Sequence, residues 1–257
     1  MNTHTLLVAY RTIVVKEVRR FSRIWVQTIL PPVITTALYF IIFGQLIGSQ
    51  LSDVQGFSYM DYIVPGVIIM SVITNSYANV VSSFYSSKFG RFVEEMLIAP
   101  IPNYVILLGY LTGGVARGLA VGAAVTAVAS FFTDIHAEHL GLAVLVVVLT
   151  SFLFALGGFI NAVFAKSFDD ISIIPTFVLT PLTYLGGVFY SVDMLPGFWQ
   201  QVSHLNPILY MVNAFRHGLL GVSDVSAGTA IAVTLAFIAA LYAYCLWLLR
   251  RGVGLRS

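Results

Sequence analysis

The chain has 257 residues, of which 58% are hydrophobic and only 9% are charged, and its formal net charge is +2. Soluble domains carry about 25% charged residues, so this composition excludes an ordinary soluble protein and predicts a membrane protein. The small positive charge gives no indication of nucleic-acid binding, and a single cysteine, Cys245, excludes an intrachain disulfide and a cysteine-based metal site.

A basic leader precedes the first apolar run. Its apolar residues recur at helical spacing, whereas its basic residues fall largely on other sides of the helix. This pattern predicts an amphipathic helix over residues 5–22 that lies along the cytoplasmic membrane interface. A basic leader that only directs topology is the alternative. The apolar set is Leu7, Tyr10, Val14, Val18 and Phe21, and the basic set is Arg11, Lys16, Arg19 and Arg20.

Six apolar runs follow, each with about the 20 residues that a helix needs to cross roughly 30 Å of hydrocarbon. Because a helix satisfies its own backbone polar groups, we expect six transmembrane helices. The fold class is therefore an all-α integral membrane protein with a single domain over residues 1–257. The predicted spans cover residues 24–48, 62–84, 104–133, 140–164, 171–190 and 228–249.

The basic residues predict the orientation of these spans. Apart from Arg117 and Arg216, every Lys and Arg lies in the leader, in the second or fourth gap between spans, or in the tail. The positive-inside rule therefore places both termini in the cytoplasm. The first and third gaps contain no Lys or Arg, and we do not expect a metal site in the third. Their titratable residues are Asp53 and Asp61 in the first gap and Asp134, His136, Glu138 and His139 in the third.

The second gap holds a short amphipathic segment. Its large apolar residues fall on one helical face, charged residues cover the rest, and Pro100 and Pro102 end the pattern. We predict a helix over residues 88–99 whose apolar face packs on the membrane surface or neighbouring spans, or docks on a cytoplasmic partner. The apolar set is Phe89, Phe92, Val93, Met96 and Leu97, and the charged set is Lys88, Arg91, Glu94 and Glu95.

The gap after the fifth span contains an apolar stretch, residues 195–216, that could be mistaken for a seventh span. Asn206 and Pro207 divide it, because Asn is a favourable N-cap and Pro a favourable first helical residue. A seventh span would also place the basic tail outside. We therefore predict two short external helices that dip into the outer leaflet, with Phe198 and Trp199 on the apolar side of the first.

Polar residues inside the spans are candidates for function. Arg117 lies near the middle of span three, where a charge costs about 2.5–3.5 kcal/mol and must face protein or water. A functional role and a fixed structural partner stay equally open, since no span interior contains an acid. Around it Gly114, Gly118 and Gly122 form a row that permits close helix packing.

Two polar stripes run along other spans. They line a hydrated pathway or a subunit contact, or they form ordinary hydrogen bonds between helices. The stripes comprise Ser71, Asn75 and Asn79 with Ser82 or Ser83 in span two, and Thr176, Thr180 and Tyr184 in span five.

Motifs typical of enzymes are missing from the sequence. No G-x-x-x-x-G-K-[ST] phosphate-binding loop, H-E-x-x-H or G-x-S-x-G occurs. The chain is therefore not expected to hydrolyse ATP itself or to act as a membrane enzyme. Asp169 and Asp170, at the inner end of span five, are placed to complement a helix dipole.

The whole chain resembles the membrane subunit of type-2 ABC exporters, a family of bacterial transport permeases. The matching features occur in order along the chain and are specific in combination. They are Arg23-Ile24-Trp25 at the end of the leader, Pro31-Pro32 and Phe43-Gly44 in span one, Val64-Pro65-Gly66 in span two, Arg91 to Leu97 followed by Pro100, the external Leu195 to Trp199, Asn206-Pro207, and Arg216.

This resemblance implies roles for the segments between the spans. The leader would be an elbow helix, residues 88–99 the coupling helix that docks on a separate ATP-binding subunit, and the external helices a re-entrant pair. Two copies of the chain, a homodimer, would meet mainly through spans two and five, above two ATPase subunits that bind ATP and Mg. The assembly would export a lipid, a lipid-linked glycan or an amphipathic drug across the bacterial inner membrane. A stand-alone secondary transporter or channel is the alternative.

Overall fold

The computed structural model describes residues 3–51, 53–135 and 137–254, so His136 and Arg256 lie outside the described residues. Within those ranges the chain forms helices and no β-sheet. The helices are α1 (Thr3–Arg23), α2 (Trp25–Tyr39) with a π-helical extension (Phe40–Ile47), α3 (Tyr59–Phe89), α4 (Phe92–Ile98), α5 (Asn103–Ala129), α6 (Leu140–Phe164), α7 (Asp170–Ile174), α8 (Thr180–Tyr184), α9 (Gly197–His204), α10 (Pro207–Leu220) and α11 (Ala227–Arg251).

Five helices in the described ranges are long and apolar enough to cross a membrane, judged by length and composition. They are Trp25–Ile47, Tyr59–Phe89, Asn103–Ala129, Leu140–Phe164 and Ala227–Arg251, which correspond to predicted spans one, two, three, four and six. The all-α class of an integral membrane protein is therefore confirmed.

The predicted fifth span, residues 171–190, differs from the structure. It consists of α7, a π-helical segment (Pro175–Leu179) and α8, each five residues long, and it ends at Tyr184. At 1.5 Å per residue these pieces reach about 22 Å, less than the roughly 30 Å of a bilayer core. Pro175 and Pro181 remove backbone donors from the helix, and the chain then turns at Gly187, whose φ is 70°.

Helix α3 lies at the centre of the bundle, with α5, α6 and α10 packed against it. The glycine row of α5 allows this close approach. A Cβ added at Gly114 would lie 2.7 Å from Cγ2 of Val80, and one at Gly122 would lie 2.9 Å from Cγ2 of Val72. Neither space admits a methyl group, so the close packing that the glycine spacing predicts is confirmed.

The leader helix α1 packs against α5 rather than only along a membrane surface. Its buried residues are Ile13, Glu17 and Phe21, whereas Leu7 of the predicted apolar face is 63% exposed. A Cβ at Gly113 of α5 would lie 2.5 Å from Cβ of Glu17. Because Gly113 has no side chain, α1 can pack closely against α5 at this position. This close packing determines that the face of α1 with Ile13, Glu17 and Phe21 is the buried one.

Candidate translocation cavity and the surfaces around it

A cavity of about 560 Å³ lies between α2, α3, α5 and the α7–α8 segment. Both predicted stripes contribute to its wall, although they are about 100 residues apart in sequence. The residues brought together here are Ser71 and Asn75 of span two, Thr176, Thr180 and Tyr184 of span five, and Arg117 of span three. Asn79 and the two serines at the end of the span-two stripe, Ser82 and Ser83, do not line this cavity.

Arg117 enters this cavity from α5. Its Nη2 donates to Oδ1 of Asn75 at 3.1 Å, while its Nε is buried without a hydrogen-bond partner. The ion pairs among the described residues involve other side chains. The partner that the sequence does not identify is therefore a neutral amide, and the positive charge has no acid beside it.

Asn79 belongs to a polar cluster around the leader helix. Nη2 of Arg20 donates to both the backbone oxygen and Oδ1 of Asn79, each at 2.8 Å. Glu17 is fully buried and accepts a hydrogen bond from Oγ of Ser83 at 2.6 Å. Its carboxylate also lies 3.3 Å from Nζ of Lys16 and 3.6 Å from Nε of Arg20. This cluster fastens α1 to the middle of the bundle.

Two features of this site are missing from the sequence-based prediction. One is Glu17, whose position midway between Ile13 and Phe21 on one helical face was the available signal. The other is the wall formed by span one, which includes Gln27, Thr35 and Tyr39. Gln27 lies eight residues before Thr35, which lies four before Tyr39, so the three form a polar stripe along one helical face, like the two that were identified.

The segment after span two does not form the single helix predicted over residues 88–99. Lys88 and Phe89 belong to the end of α3, and a separate helix α4 begins at Phe92. Between them Arg91 adopts a left-handed conformation with φ 62°. A left-handed residue reverses the helical path, so the regular spacing does not place Phe89 and Phe92 on one face.

The residues of this segment consequently border two different cavities. Phe92, Glu95 and Met96 line one of about 590 Å³ that also touches α1, whereas Phe89 and Arg91 line another of about 500 Å³. The exposed fractions differ too. Phe89 and Phe92 are 68% and 59% exposed, Val93 is buried, and Glu94, Met96 and Leu97 are half-buried.

Beside this segment, two contacts fix helix ends. Nζ of Lys88 donates to the backbone oxygen of Ala165 at 2.8 Å, just beyond the last turn of α6. At the start of α7, Asp170 accepts hydrogen bonds from the backbone amides of Lys166 and Ser167. The hydrogen bond from the Lys166 amide, followed by hydrogen bonding with the Ser167 side chain, lowers the pKa of Asp170 below its ordinary value. The sequence-based placement of an acid at this helix start is confirmed.

The stretch predicted to be external forms two helices, α9 and α10, that meet at Asn206 and Pro207. Oδ1 of Asn206 accepts from the amide of Ile208 at 3.0 Å, and Pro207 is the first helical residue, as predicted. Phe198 and Trp199 are 69% and 47% exposed on α9. The helix α10 extends to Leu220, beyond the predicted end at residue 216.

Arg216 is completely buried on α10. Its Nη2 donates to the backbone oxygen of Gly187 at 2.7 Å, and its guanidinium lies 4.0 Å from the ring centroid of Tyr62. Packing inside the protein explains why this one arginine departs from the charge alternation along the chain.

Comparison with known proteins identifies the family. The model of the ABC-2 type transporter family matches residues 8–220. An inner membrane transport permease of Escherichia coli K12, YadH, is 59% identical over 254 residues, 99% of each chain. Nodulation protein J of Rhizobium leguminosarum bv. viciae is 26% identical over 83% of each chain. The corresponding Rhizobium meliloti protein is 25% identical over 90% of this chain and 88% of its own.

Family membership implies an ABC transporter with a partner ATP-binding subunit, and these relatives and apolar helices indicate a multi-pass protein of the cytoplasmic membrane. The chain belongs to the ABC-2 type transporter family and is the membrane permease subunit of an exporter of that family.

Proposed function

We propose that this chain forms the pathway of an ATP-dependent exporter whose cargo is a lipid, a lipid-linked glycan or an amphipathic drug. The observation that supports this best is the cavity of about 560 Å³, in which polar stripes from three spans meet. Such a polar wall inside an apolar bundle suits a molecule with a polar head. The partner ATPase subunits bind ATP and Mg and drive the change between two states of the pathway.

A second copy of the chain completes the pathway in this proposal. The expected contact through spans two and five needs revision, because α3 is largely buried within its own chain and has little free surface. By contrast, span one is mostly exposed, and Phe177 of the fifth segment is 73% exposed. We therefore assign the contact between the two copies to segments one and five, which border the cavity.

The cytoplasmic ends and α4 provide the link to the ATPase. We place both termini in the cytoplasm on the distribution of basic residues. Phe92 on α4 and Ile98 at its end are 59% and 86% exposed, so large apolar surfaces are available for docking. Phe89, Arg91, Glu94, Glu95, Met96 and Leu97 complete the proposed docking set.

Co-purification of the ATP-binding subunit tests this assignment. Phe92→Asp and Met96→Asp should each abolish co-purification, because a charge in an apolar contact is costly to desolvate. Phe131→Asp is the matched control, since Phe131 is 87% exposed beyond the other end of α5. Retention of the ATPase by both α4 variants would contradict the docking role. Ion-coupled flux through liposomes that contain this chain alone would favour the stand-alone transporter instead.

A further inference from the structure

We propose that the cavity between α2, α3, α5 and the α7–α8 segment takes amphipathic molecules whose head group carries a negative charge, and that Arg117 binds that charge. This inference rests on the proposed function and narrows its cargo. It follows from an unbalanced charge, from the neutrality of the surrounding wall and from the apolar surface beside it.

The charge of Arg117 has no acidic partner among the residues that the structure describes. Its hydrogen-bond partner Asn75 is neutral and is itself occupied, since Nδ2 of Asn75 donates to the backbone oxygen of Ser71 at 3.0 Å. The nearest buried acid in this part of the bundle, Glu17, already lies within ion-pair distance of both Lys16 and Arg20. A cation at this depth of a membrane protein is costly without an acid, which makes Arg117 the candidate site for a counter-charge.

Two arginines donate hydrogen bonds to asparagines on adjacent turns of α3. Arg117 bonds to Asn75, and Arg20 bonds to Asn79 one turn away. The second guanidinium increases the positive potential at this depth of the bundle. Nε of Arg117 has no hydrogen-bond partner among the described residues, so one donor of the guanidinium stays unused. A guanidinium with a spare donor matches the oxygens of a phosphate, a sulfate or a carboxylate.

The rest of the wall discriminates against cations and accepts a polar head. Arg117 is the one charged side chain among the described residues that line the cavity. The other polar groups are hydroxyls and amides, including Thr35, Thr176 and Tyr184, which can donate to an anion. Since no carboxylate is among the described residues of this wall, a cationic head group would be repelled by Arg117 and would find no opposite charge.

Apolar surface next to the cavity accounts for the amphipathic part of the ligand. Leu38 of α2 and Phe177 of the fifth segment are 51% and 73% exposed, and both lie on elements that form the wall. These are the faces assigned above to the contact between the two copies, so the tail of a bound molecule would lie along that boundary. A molecule with its head at Arg117 can therefore keep its hydrocarbon tail in contact with these faces.

Direct binding to the full chain tests this proposal without the ATPase. The chain is placed in nanodiscs of zwitterionic phosphatidylcholine, and the binding of radiolabelled hexadecyl phosphate is compared with that of hexadecyl glucoside. We expect the phosphate to bind about tenfold more tightly, as a charge-assisted hydrogen bond provides. Arg117→Gln should remove this preference, and Arg117→Lys should retain part of it. Arg19→Gln, which removes an exposed charge from α1, should leave the preference intact.

Each other outcome is also informative. Equal binding of the two probes by the unmodified chain would overturn the proposal, even if the Arg117 variants fail to fold. An unchanged preference in Arg117→Gln would overturn it as well. Displacement of hexadecyl phosphate by millimolar inorganic phosphate alone would contradict the amphipathic requirement. Charge-selective binding without ATP-driven transport would leave this inference standing and remove the exporter role, whereas transport without charge selectivity would do the reverse.

Discussion

Replacing Glu17 with alanine tests whether α1 is fastened to the bundle by its buried carboxylate. The change removes the hydrogen bond from Ser83 and both ion pairs, with Lys16 and Arg20. It also leaves two cations near a site from which their counter-charge has gone. We therefore expect α1 to detach more readily from α5 and the whole chain to unfold at lower temperature.

The size of the effect follows from the exposure of the partners. A hydrogen bond to a charged group contributes about 1.5–3 kcal/mol. Breaking a fully buried ion pair costs about 3–5 kcal/mol, but the Lys16 and Arg20 side chains are 48% and 28% exposed, and water reaches them. We expect a loss of about 2–3 kcal/mol in the free energy of unfolding. For a chain of this length that is a fall in Tm of about 5–10 °C.

Thermal unfolding of the purified chain in detergent, followed by circular dichroism, measures this shift. Glu17→Gln should fall between the alanine variant and the unmodified chain, because the amide oxygen can still accept from Ser83. Arg19→Ala is the control on an exposed position of the same helix. A Tm for Glu17→Ala within about 2 °C of the Arg19→Ala value would refute the reasoning.

Two further substitutions test the packing around Gly187 and Val188, at the end of the fifth segment. Arg216→Met should lower the free energy of unfolding by about 2–4 kcal/mol, because the carbonyl oxygen of Gly187 loses a charged donor and the ring of Tyr62 loses its cation. Gly66→Val should prevent normal folding or lower the Tm sharply, since a Cβ there would lie 2.5 Å from the backbone oxygen of Val188. Unfolding curves for both variants check these expectations.

Matched controls separate these effects from general damage. Gly141→Val adds the same side chain where a Cβ meets nothing within 4 Å, and its Tm should be unchanged. Arg251→Met removes a charge from an exposed position at the end of α11. An equal fall in Tm in the test and control variants would show that the contacts of Arg216 and Gly66 do not determine the stability of the chain.

Hydrophobicity and proline positions predicted much of this fold. Both determine the local structure of a segment without contacts to distant residues, so a sequence reveals their effect directly. Five spans follow from apolar runs of hydrocarbon length. The break at Asn206 and Pro207 follows from the backbone chemistry of these two residues. The polarity of the Ser71 and Thr176 stripes indicated that both face protein or water rather than lipid, but it did not predict that they border the same cavity.

The remaining features depend on contacts between distant segments. Glu17 is buried because Gly113 provides a notch for it, and neither residue alone indicates this packing. The face predicted from Phe89 to Leu97 is wrong because a left-handed turn at Arg91 follows Gly90, and periodicity does not detect such a turn. Hydropathy also overestimated the length of the fifth span. The predicted span ran to residue 190, but the helix ends at Tyr184 and the chain turns at Gly187.

Cysteine accessibility in the assembled transporter tests the central claim most directly. The native Cys245 is buried, so a cysteine introduced as Thr180→Cys in the cavity wall can be followed alone. The complex with its ATP-binding subunit is labelled in liposomes with a membrane-impermeant maleimide, with and without ATP and Mg. The pathway assignment predicts that labelling from one side is rapid in one nucleotide state and several-fold slower in the other. Equal labelling rates in both states, or no labelling in either, would contradict it.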